Sequence, residues 1–503
     1  MNKNETYQVT IEDIGSDGEG IGHIYAESPD ADSKKGITVF VKDTVVGDVV
    51  RVKIIKVKKN YVYARLMDIL MPSPDRVEAL CSKARSCGGC SIMHMSYEKQ
   101  LAYKFNKVKN CLERIGGLAD AERLMEPVYG MTCPYHYRNK MQFPVGVDSD
   151  GNVKIGFYAG RTHSIVDLDA CATGHRVNTC LIKNLREWIG KNFSQDPGFV
   201  YREEQHTGLL RHIVTRVGYA TGELSVCLVI NGEGLGRDPV KDRERKEELI
   251  CVVMRAVEEY NLRCNRLREG DIGPDQGKNC SDDKKVALKN LSLNINREKT
   301  NRILGDQTIT IFGEEYITDM IGDIRFHVSP QSFFQVNPVQ TKVLYEKALS
   351  YAALTGNEIV WDMYCGIGTI SLFLAQKAKK VYGVEIVPQA IQDAKKNAKL
   401  NHLSNTEFYC GKAEEIVPKL YREEGIKPDV IVVDPPRKGC DPLLLDTIAA
   451  MSPERLVYVS CDPATLARDV KILVGKGFQV ERVAVVDQFC HSVHVEIVVS
   501  LST

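Results

Sequence analysis

Two residues near the C-terminal end of the chain have the types and settings that covalent catalysis needs. Cys461 follows the apolar run Val457-Tyr-Val-Ser and precedes Asp462 and Pro463, a favoured helix cap and a favoured first helical residue. A thiol at a helix N-terminus is expected to have a lowered pKa and to attack as thiolate. Glu496 lies within an apolar segment, where an inward carboxylate should have a raised pKa and act as a base. His491 and His494 are rival bases nearby. Together such groups could add sulfur to an electron-poor ring carbon, then remove a proton so that the thiolate leaves by elimination. Sixteen cysteines compete for the nucleophile's role, so position rather than identity singles out Cys461.

Three other groupings could bind ligands. Asp362-Met-Tyr-Cys-Gly-Ile-Gly-Thr ends an apolar strand with two glycines that let backbone approach a ligand, and Glu385 ends the next, 19 residues after Gly366. A carboxylate there can bind ribose hydroxyls. Ser371 stands where a dehydrogenase would have its third glycine, and the loop has no lysine for a triphosphate. Asp434-Pro-Pro-Arg-Lys-Gly puts a carboxylate and a rigid diproline at the end of a fourth strand. Finally, Cys81, Cys87 and Cys90 group tightly around Gly88 and Gly89. Three thiolates at that spacing need a fourth ligand, and zinc or an iron–sulfur cluster would accept the set.

The elements that must position these residues are legible as periodicity. Residues 1–71 read as short strands separated by turns, with Gly15, Gly18, Gly20 and Gly22 in a loop, which suggests a small β-barrel. Its later strands interleave Arg51, Lys53, Lys56, Lys58, Lys59 and Arg65 with Tyr61 and Tyr63, a pattern suited equally to a solvated charged face or to phosphates and stacked bases. Pro72 and Pro74 open a mixed α+β middle region, residues 72–320, with a lysine-rich helix over Tyr97–Ile115. Within it, roughly Asn261 to Asn290 is charged and poor in large apolar residues, as a mobile surface insertion would be. Residues 321–503 alternate strands and helices with nearly continuous apolar strands, the signature of a doubly wound, Rossmann-like α/β sheet.

Composition bounds the rest. With 503 residues, two or three domains are expected. The 66 basic and 66 acidic residues cancel, so nucleic-acid binding must rest on local clusters. No apolar run is long enough for a bilayer and the first residues lack the apolar core of a signal peptide. A cytoplasmic protein, without membrane attachment or an obligate protein partner, is expected, and its scattered thiols do not form a disulfide framework.

Ser332-Phe-Phe-Gln-Val-Asn, the Asp362 and Asp434 motifs, Ser460-Cys-Asp-Pro and His494-Val-Glu occur in this order. Together they resemble the RNA uracil-5-methyltransferase family, and its bacterial 23S ribosomal RNA branch in particular, over nearly the whole chain. The resemblance implies a class I methyltransferase domain, S-adenosylmethionine as methyl donor and a uridine of 23S ribosomal RNA as substrate. It makes Cys461 the nucleophile and Glu496 the proton acceptor, with Gln335, Tyr364, Glu385 and Asp434 lining the S-adenosylmethionine site. Arg138, in Tyr137-Arg-Asn-Lys, matches a substrate-contacting arginine. The first seventy residues resemble an OB-like TRAM domain, the family's RNA-binding barrel. The branch also implies a [4Fe–4S] cluster on Cys81, Cys87, Cys90 and Cys171. Two departures stand out: Cys490 where proline is usual, and the length of the insertion after Asn261. Competing readings are a transfer-RNA enzyme of the same family, a non-catalytic RNA-binding protein of this fold, and a redox enzyme pairing iron–sulfur with a nicotinamide.

Overall fold

The structure, a computed structural model, describes residues 1–25, 36–160, 162–268 and 284–503. Strands β1 (Thr6–Ile14), β2 (Gly20–Ile24), β3 (Ile37–Val41), β4 (Val49–Val57) and β5 (Tyr61–Met71) close into a barrel in the order β1-β2-β3-β5-β4. Alternation drives it: Val9, Ile11, Val39, Val41, Val50, Val52, Ile54 and Val62 point inward and are buried. Of the run expected as a glycine loop, Gly15 and Gly18 lie in the β1–β2 turn, while Gly20 and Gly22 belong to strand β2 instead. Its glycines serve close packing, because a Cβ on Gly20 would lie 2.2 Å from Thr44 Oγ1 and one on Gly22 2.4 Å from the Thr10 carbonyl oxygen.

Helix α1 (Tyr97–Arg114) leads into a seven-stranded sheet. Its elements are β6 (Lys140–Val147), β7 (Val153–Tyr158), β8 (Ile165–Asp167), α2 (Val177–Gln195), β9 (Leu210–Val217), β10 (Glu223–Ile230), α3 (Pro239–Arg268), β11 (Ala287–Ile295) and β12 (Gln307–Gly313). The strand order is β12-β11-β10-β9-β6-β7-β8. Leu185, Trp188 and Ile189 of α2 and Leu249, Val253 and Tyr260 of α3 share one core with these strands. The expected insertion over 261–290 is therefore shorter at both ends: α3 continues to Arg268 and β11 begins at Ala287. Residues 269–283 lie outside the described residues.

A hairpin, β13 (Ile317–Ile321) and β14 (Ile324–Val328), packs Ile317, Ile321, Phe326 and Val328 into the core of the C-terminal sheet. That part continues with α4 (Pro338–Ala352), β15 (Ile359–Met363), α5 (Thr369–Ala375), β16 (Lys380–Glu385), α6 (Pro388–Leu400), β17 (Thr406–Cys410) and α7 (Ala413–Glu423). It closes with β18 (Val430–Val433), α8 (Pro442–Met451), β19 (Arg455–Ser460), α9 (Pro463–Val474), β20 (Gln479–Val486) and β21 (Glu496–Ser502). Strand order is β17-β16-β15-β18-β19-β21-β20, parallel throughout except where β21 pairs antiparallel with β19 and β20. Val430 to Val433 are all buried, as a strand covered by helices on both faces requires. The chain order reverses between β15 and β18, and ligands bind beyond the carboxyl ends of strands at such a point. Among the described residues, no helix is long and apolar enough to cross a membrane.

Candidate active site

The sheet's register brings nucleophile and base together. Antiparallel pairing of β19 with β21 ends at Ser460↔Ile497, so one step further sets Cys461 opposite Glu496. Cys461 is half-buried between β19 and α9. As the sequence suggests, Asp462 caps α9 by accepting from the amides of Ala464 (3.0 Å) and Thr465 (2.9 Å), with Pro463 in the first turn. Glu496 is only 4% exposed. Its carboxyl is held well above the usual range by burial and by Asp434, with Arg437 pulling the other way.

The lowered thiol pKa expected for Cys461 is not found. Burial, with Glu496 and Asp434 beside it, pushes the thiol up to about 11 against the opposing pull of Arg437. A helix N-terminus contributes ~0.3–1 kcal/mol, less than the roughly 1.4 kcal/mol of a single pK unit. Two carboxylates and desolvation outweigh it. Asp434 itself is pushed up to about 6 by burial. Removing its charge should favour the thiolate. Asp434→Asn is therefore expected to speed iodoacetamide alkylation of Cys461 at pH 8 roughly 3- to 10-fold, read by mass spectrometry of the Cys461 peptide. In both proteins the rate should climb with pH toward 11. An unchanged rate in the variant would remove Asp434 from the thiol's surroundings.

The rival bases are placed differently. His491 is buried, stacks on Tyr135 at 4.7 Å and lies 3.3 Å from Gln100 through Nδ1. Burial lowers it to about 4, so it is a weak base facing α1. His494 is exposed and faces Arg437, Lys107, Lys104 and Arg138, which together with desolvation lower its pKa. Desolvation, the largest cause, and these cations keep it a neutral imidazole. The groups acting most strongly on Cys461 are Glu496, Asp434 and Arg437.

Beyond β15 the backbone is shaped for a ligand. Tyr364 has a φ of 79° and Gly366 one of 54°, and a Cβ on Gly366 would meet nothing within 4 Å. Left-handed backbone in a non-glycine residue is strain of the kind that clusters at binding sites. Glu385 accepts from the amides of Gly366 (3.2 Å) and Val387 (2.9 Å), which fixes its carboxylate at the edge of this loop. Exposed Ile386 and Val387 follow it, and Phe333 is 73% exposed in the motif that ends in Asn337. Sequence reasoning missed these apolar surfaces, although an apolar residue after a strand-ending acid was a usable signal. Buried Asp362 accepts from Ser371 Oγ at 2.5 Å through one oxygen and leaves the other without a partner. Burial, Asp434 and Glu385 push it up to about 7. Gln335 accepts from Gln488 at 3.4 Å, while Tyr364 packs towards Cys440 and Glu414. A crevice with several desolvated carboxyls and room at a glycine suits a cationic ligand bearing a ribose.

Arg138 hydrogen-bonds through its backbone with Thr173 and His175, and its charge reaches both Cys90 and His494. It thus stands between the catalytic loop and the cysteines. Cys81, Cys87, Cys90 and Cys171 are each half-buried, and each of the first three is raised by burial and by the Cys171 thiol. The structure therefore gathers all four. Among the described residues, however, no three His, Cys, Asp or Glu side chains converge to hold one metal ion.

On the barrel, Phe40, Tyr61 and Tyr63 form a ring cluster with centroids 5.5 to 5.6 Å apart. Lys53 and Arg65 are direct cross-strand partners, a pairing of like charges that costs stability unless an anion covers it. Arg51 instead pairs with Asp68 at 3.3 Å.

Comparison with known proteins bears on the family and the fold. Residues 277–503 match the family described as tRNA (Uracil-5-)-methyltransferase, and residues 2–67 match the TRAM domain. A Clostridium tetani protein described as an uncharacterized RNA methyltransferase is 45% identical over 503 residues, all of this chain and 97% of that protein. One from Halalkalibacterium halodurans is 44% identical, covering all of this chain and 98% of its own. The fold is similar to that of Pyrococcus abyssi tRNA (uracil-54, C5)-methyltransferase, solved with S-adenosyl-L-homocysteine. That match has a TM-score of 0.70 at 24% identity and covers 98% of this chain and all of the other.

Proposed function

The chain belongs to the RNA (uracil-5-)-methyltransferase family and is an S-adenosylmethionine-dependent enzyme, and we propose that it methylates carbon 5 of a uridine in 23S ribosomal RNA through a covalent adduct on Cys461. The observation that carries this reading is the opposition of Cys461 and Glu496 across β19 and β21, at the mouth of the β15–β18 crevice. Uracil carbon 5 is a poor nucleophile. With its proton lost to solvent, the Cys461 thiolate adds to carbon 6, and the C5–C6 π pair moves to the carbon 4 carbonyl as an enolate. Carbon 5 of that enolate gains the methyl group while the donor's sulfur would keep the bond pair and leave as a neutral thioether. Glu496 then takes the carbon 5 proton, the C5–H electron pair becomes the C5–C6 double bond, and the C6–S bond breaks to return the thiolate. S-Adenosylmethionine, when bound, supplies the methyl group as an electrophile. Gln335, Tyr364, Glu385 and Asp434 would hold it, the last two with carboxylates suited to ribose and sulfonium.

The thiol's high resting pKa is compatible with this scheme, because a cation bound beside it favours thiolate. Arg138, with Arg437, would meet the RNA backbone, and the Phe40–Tyr61–Tyr63 cluster would stack bases. Cys81, Cys87, Cys90 and Cys171 would hold a [4Fe–4S] cluster as a structural element of the middle region. The division into a barrel (1–71), a middle region (72–320) and a methyltransferase part (321–503), in the cytoplasm, completes the proposal.

Mapping of 5-methyluridine in total RNA from a strain lacking this protein tests the substrate. The mark should vanish from 23S RNA and persist in transfer RNA. The reverse pattern would assign the enzyme to transfer RNA instead.

A further inference from the structure

The loop before Glu496, residues 487–495, is gripped by one face of α1. Tyr97, Gln100, Lys104 and Lys107 recur at spacings of three, four and three, which places them along a single stripe of a helix. Each reaches a different point of the loop. Tyr97 Oη donates to Asp487 Oδ2 at 2.7 Å. Gln100 Oε1 accepts from the His491 amide at 3.1 Å. Lys104, fully buried, donates to the equally buried Asp487 carboxylate and to the Phe489 carbonyl at 3.0 Å. Half-buried Lys107 donates to the Val493 carbonyl at 2.9 Å and to the Ser16 carbonyl, in the barrel's β1–β2 turn, at 3.0 Å. The same turn seats Gly18 against Val493, where an added Cβ would lie 2.9 Å from Val493 Cγ1. On its apolar side α1 packs Val108 and Leu112 with Leu466 and Val470 of α9, the helix that follows Cys461.

A surface helix has no need to bury a lysine–aspartate pair. Such a pair contributes little net stability but fixes one arrangement, because either charge left alone in the interior is strongly unfavourable. We infer that Tyr97, Gln100, Lys104 and Lys107 are positioning residues that hold Glu496 against the target ring, with Lys107 linking that hold to the RNA-binding barrel through Ser16. The inference rests on the reading of Glu496 as proton acceptor. The clamp then acts on the last step, in which the carboxylate takes the carbon 5 proton and the carbon–sulfur bond breaks, more than on methyl transfer.

The test is single turnover by the full-length protein on RNA from the deletion strain, with methyl-labelled S-adenosylmethionine. Denaturing gels separate labelled protein–RNA adduct from free labelled RNA. Lys107→Met keeps the aliphatic stem and loses both carbonyl contacts. It should transfer methyl within about threefold of wild type yet release product at least tenfold more slowly, so that labelled adduct accumulates. Lys104→Met strands Asp487, so Lys104→Met/Asp487→Leu is the paired control, expected to fold and to accumulate adduct likewise. Equal slowing of transfer and release, or wild-type release in both variants, overturns the clamp. Glu496→Gln is run alongside. If it accumulates adduct and Lys107→Met does not, the clamp alone is wrong; if it too fails to accumulate adduct, the assignment of the base falls as well.

Discussion

Cys461→Ala should lower methyl transfer to RNA by at least about 10⁴-fold, because without the sulfur carbon 5 is never activated. The measurement is incorporation of labelled methyl groups into RNA from the deletion strain. A second readout is formation of a denaturation-resistant complex with 5-fluorouridine RNA, whose fluorine cannot be abstracted as a proton. Wild-type protein should form that complex and the variant should not. The substitution removes one half-buried sulfur at a helix start whose cap, Asp462, is untouched, so folding should be preserved and binding of S-adenosylmethionine should remain within a few-fold of wild type. Substantial turnover by the variant would transfer the nucleophile's role to another thiol and dismantle the covalent scheme. Absence of both methyl transfer and the 5-fluorouridine complex with wild-type protein would favour a binding protein of this fold.

How much of this was legible in the sequence follows from how local each determinant is. The parallel sheet is legible because strands such as Val430–Val433, buried on both faces, appear as unbroken apolar runs. The cap at Asp462 and Pro463 is legible because its partners lie within three residues. Strand β2 is not, since Gly20 and Gly22 signal a loop by composition while their real constraint is the Thr44 and Thr10 atoms packed against them. The role of Lys104 is hidden in the same way: in a lysine-rich helix it resembles a surface residue, and Asp487 is 383 positions away. The thiol's pKa shows the limit most clearly. One helix end was visible beside Cys461, whereas burial of the thiol, and then Glu496 and Asp434 reaching it from other strands, reverse the sign. Motifs announce which groups meet; only the register shows what they do to each other.

The second large effect should come from Glu496→Gln, and it differs in kind from the loss of Cys461. Glutamine has nearly the size of glutamic acid, and burial and Asp434 raise the carboxyl's pKa, so the variant should closely mimic the protonated form of the wild-type side chain. Methyl transfer should proceed, while release slows by about 10³-fold, the scale of losing a positioned base. A labelled, denaturation-resistant adduct with ordinary uridine RNA should then accumulate, whereas Cys461→Ala gives none. The pH dependence follows from the direction of the shift. A carboxyl whose folded pKa is raised ionises only as pH climbs, so wild-type release should accelerate with rising pH and the variant should lose that limb. Stability moves oppositely: above the ordinary carboxyl pKa the folded protein holds a proton that the unfolded chain has lost, so this group's contribution falls as pH rises towards the raised value. The Tm of Glu496→Gln should accordingly gain on wild type as pH rises above the ordinary carboxyl range. Normal release by Glu496→Gln would hand the proton to another group. His494 would inherit the role first, since it is exposed at the mouth of the site while His491 is sealed against Gln100 and Tyr135.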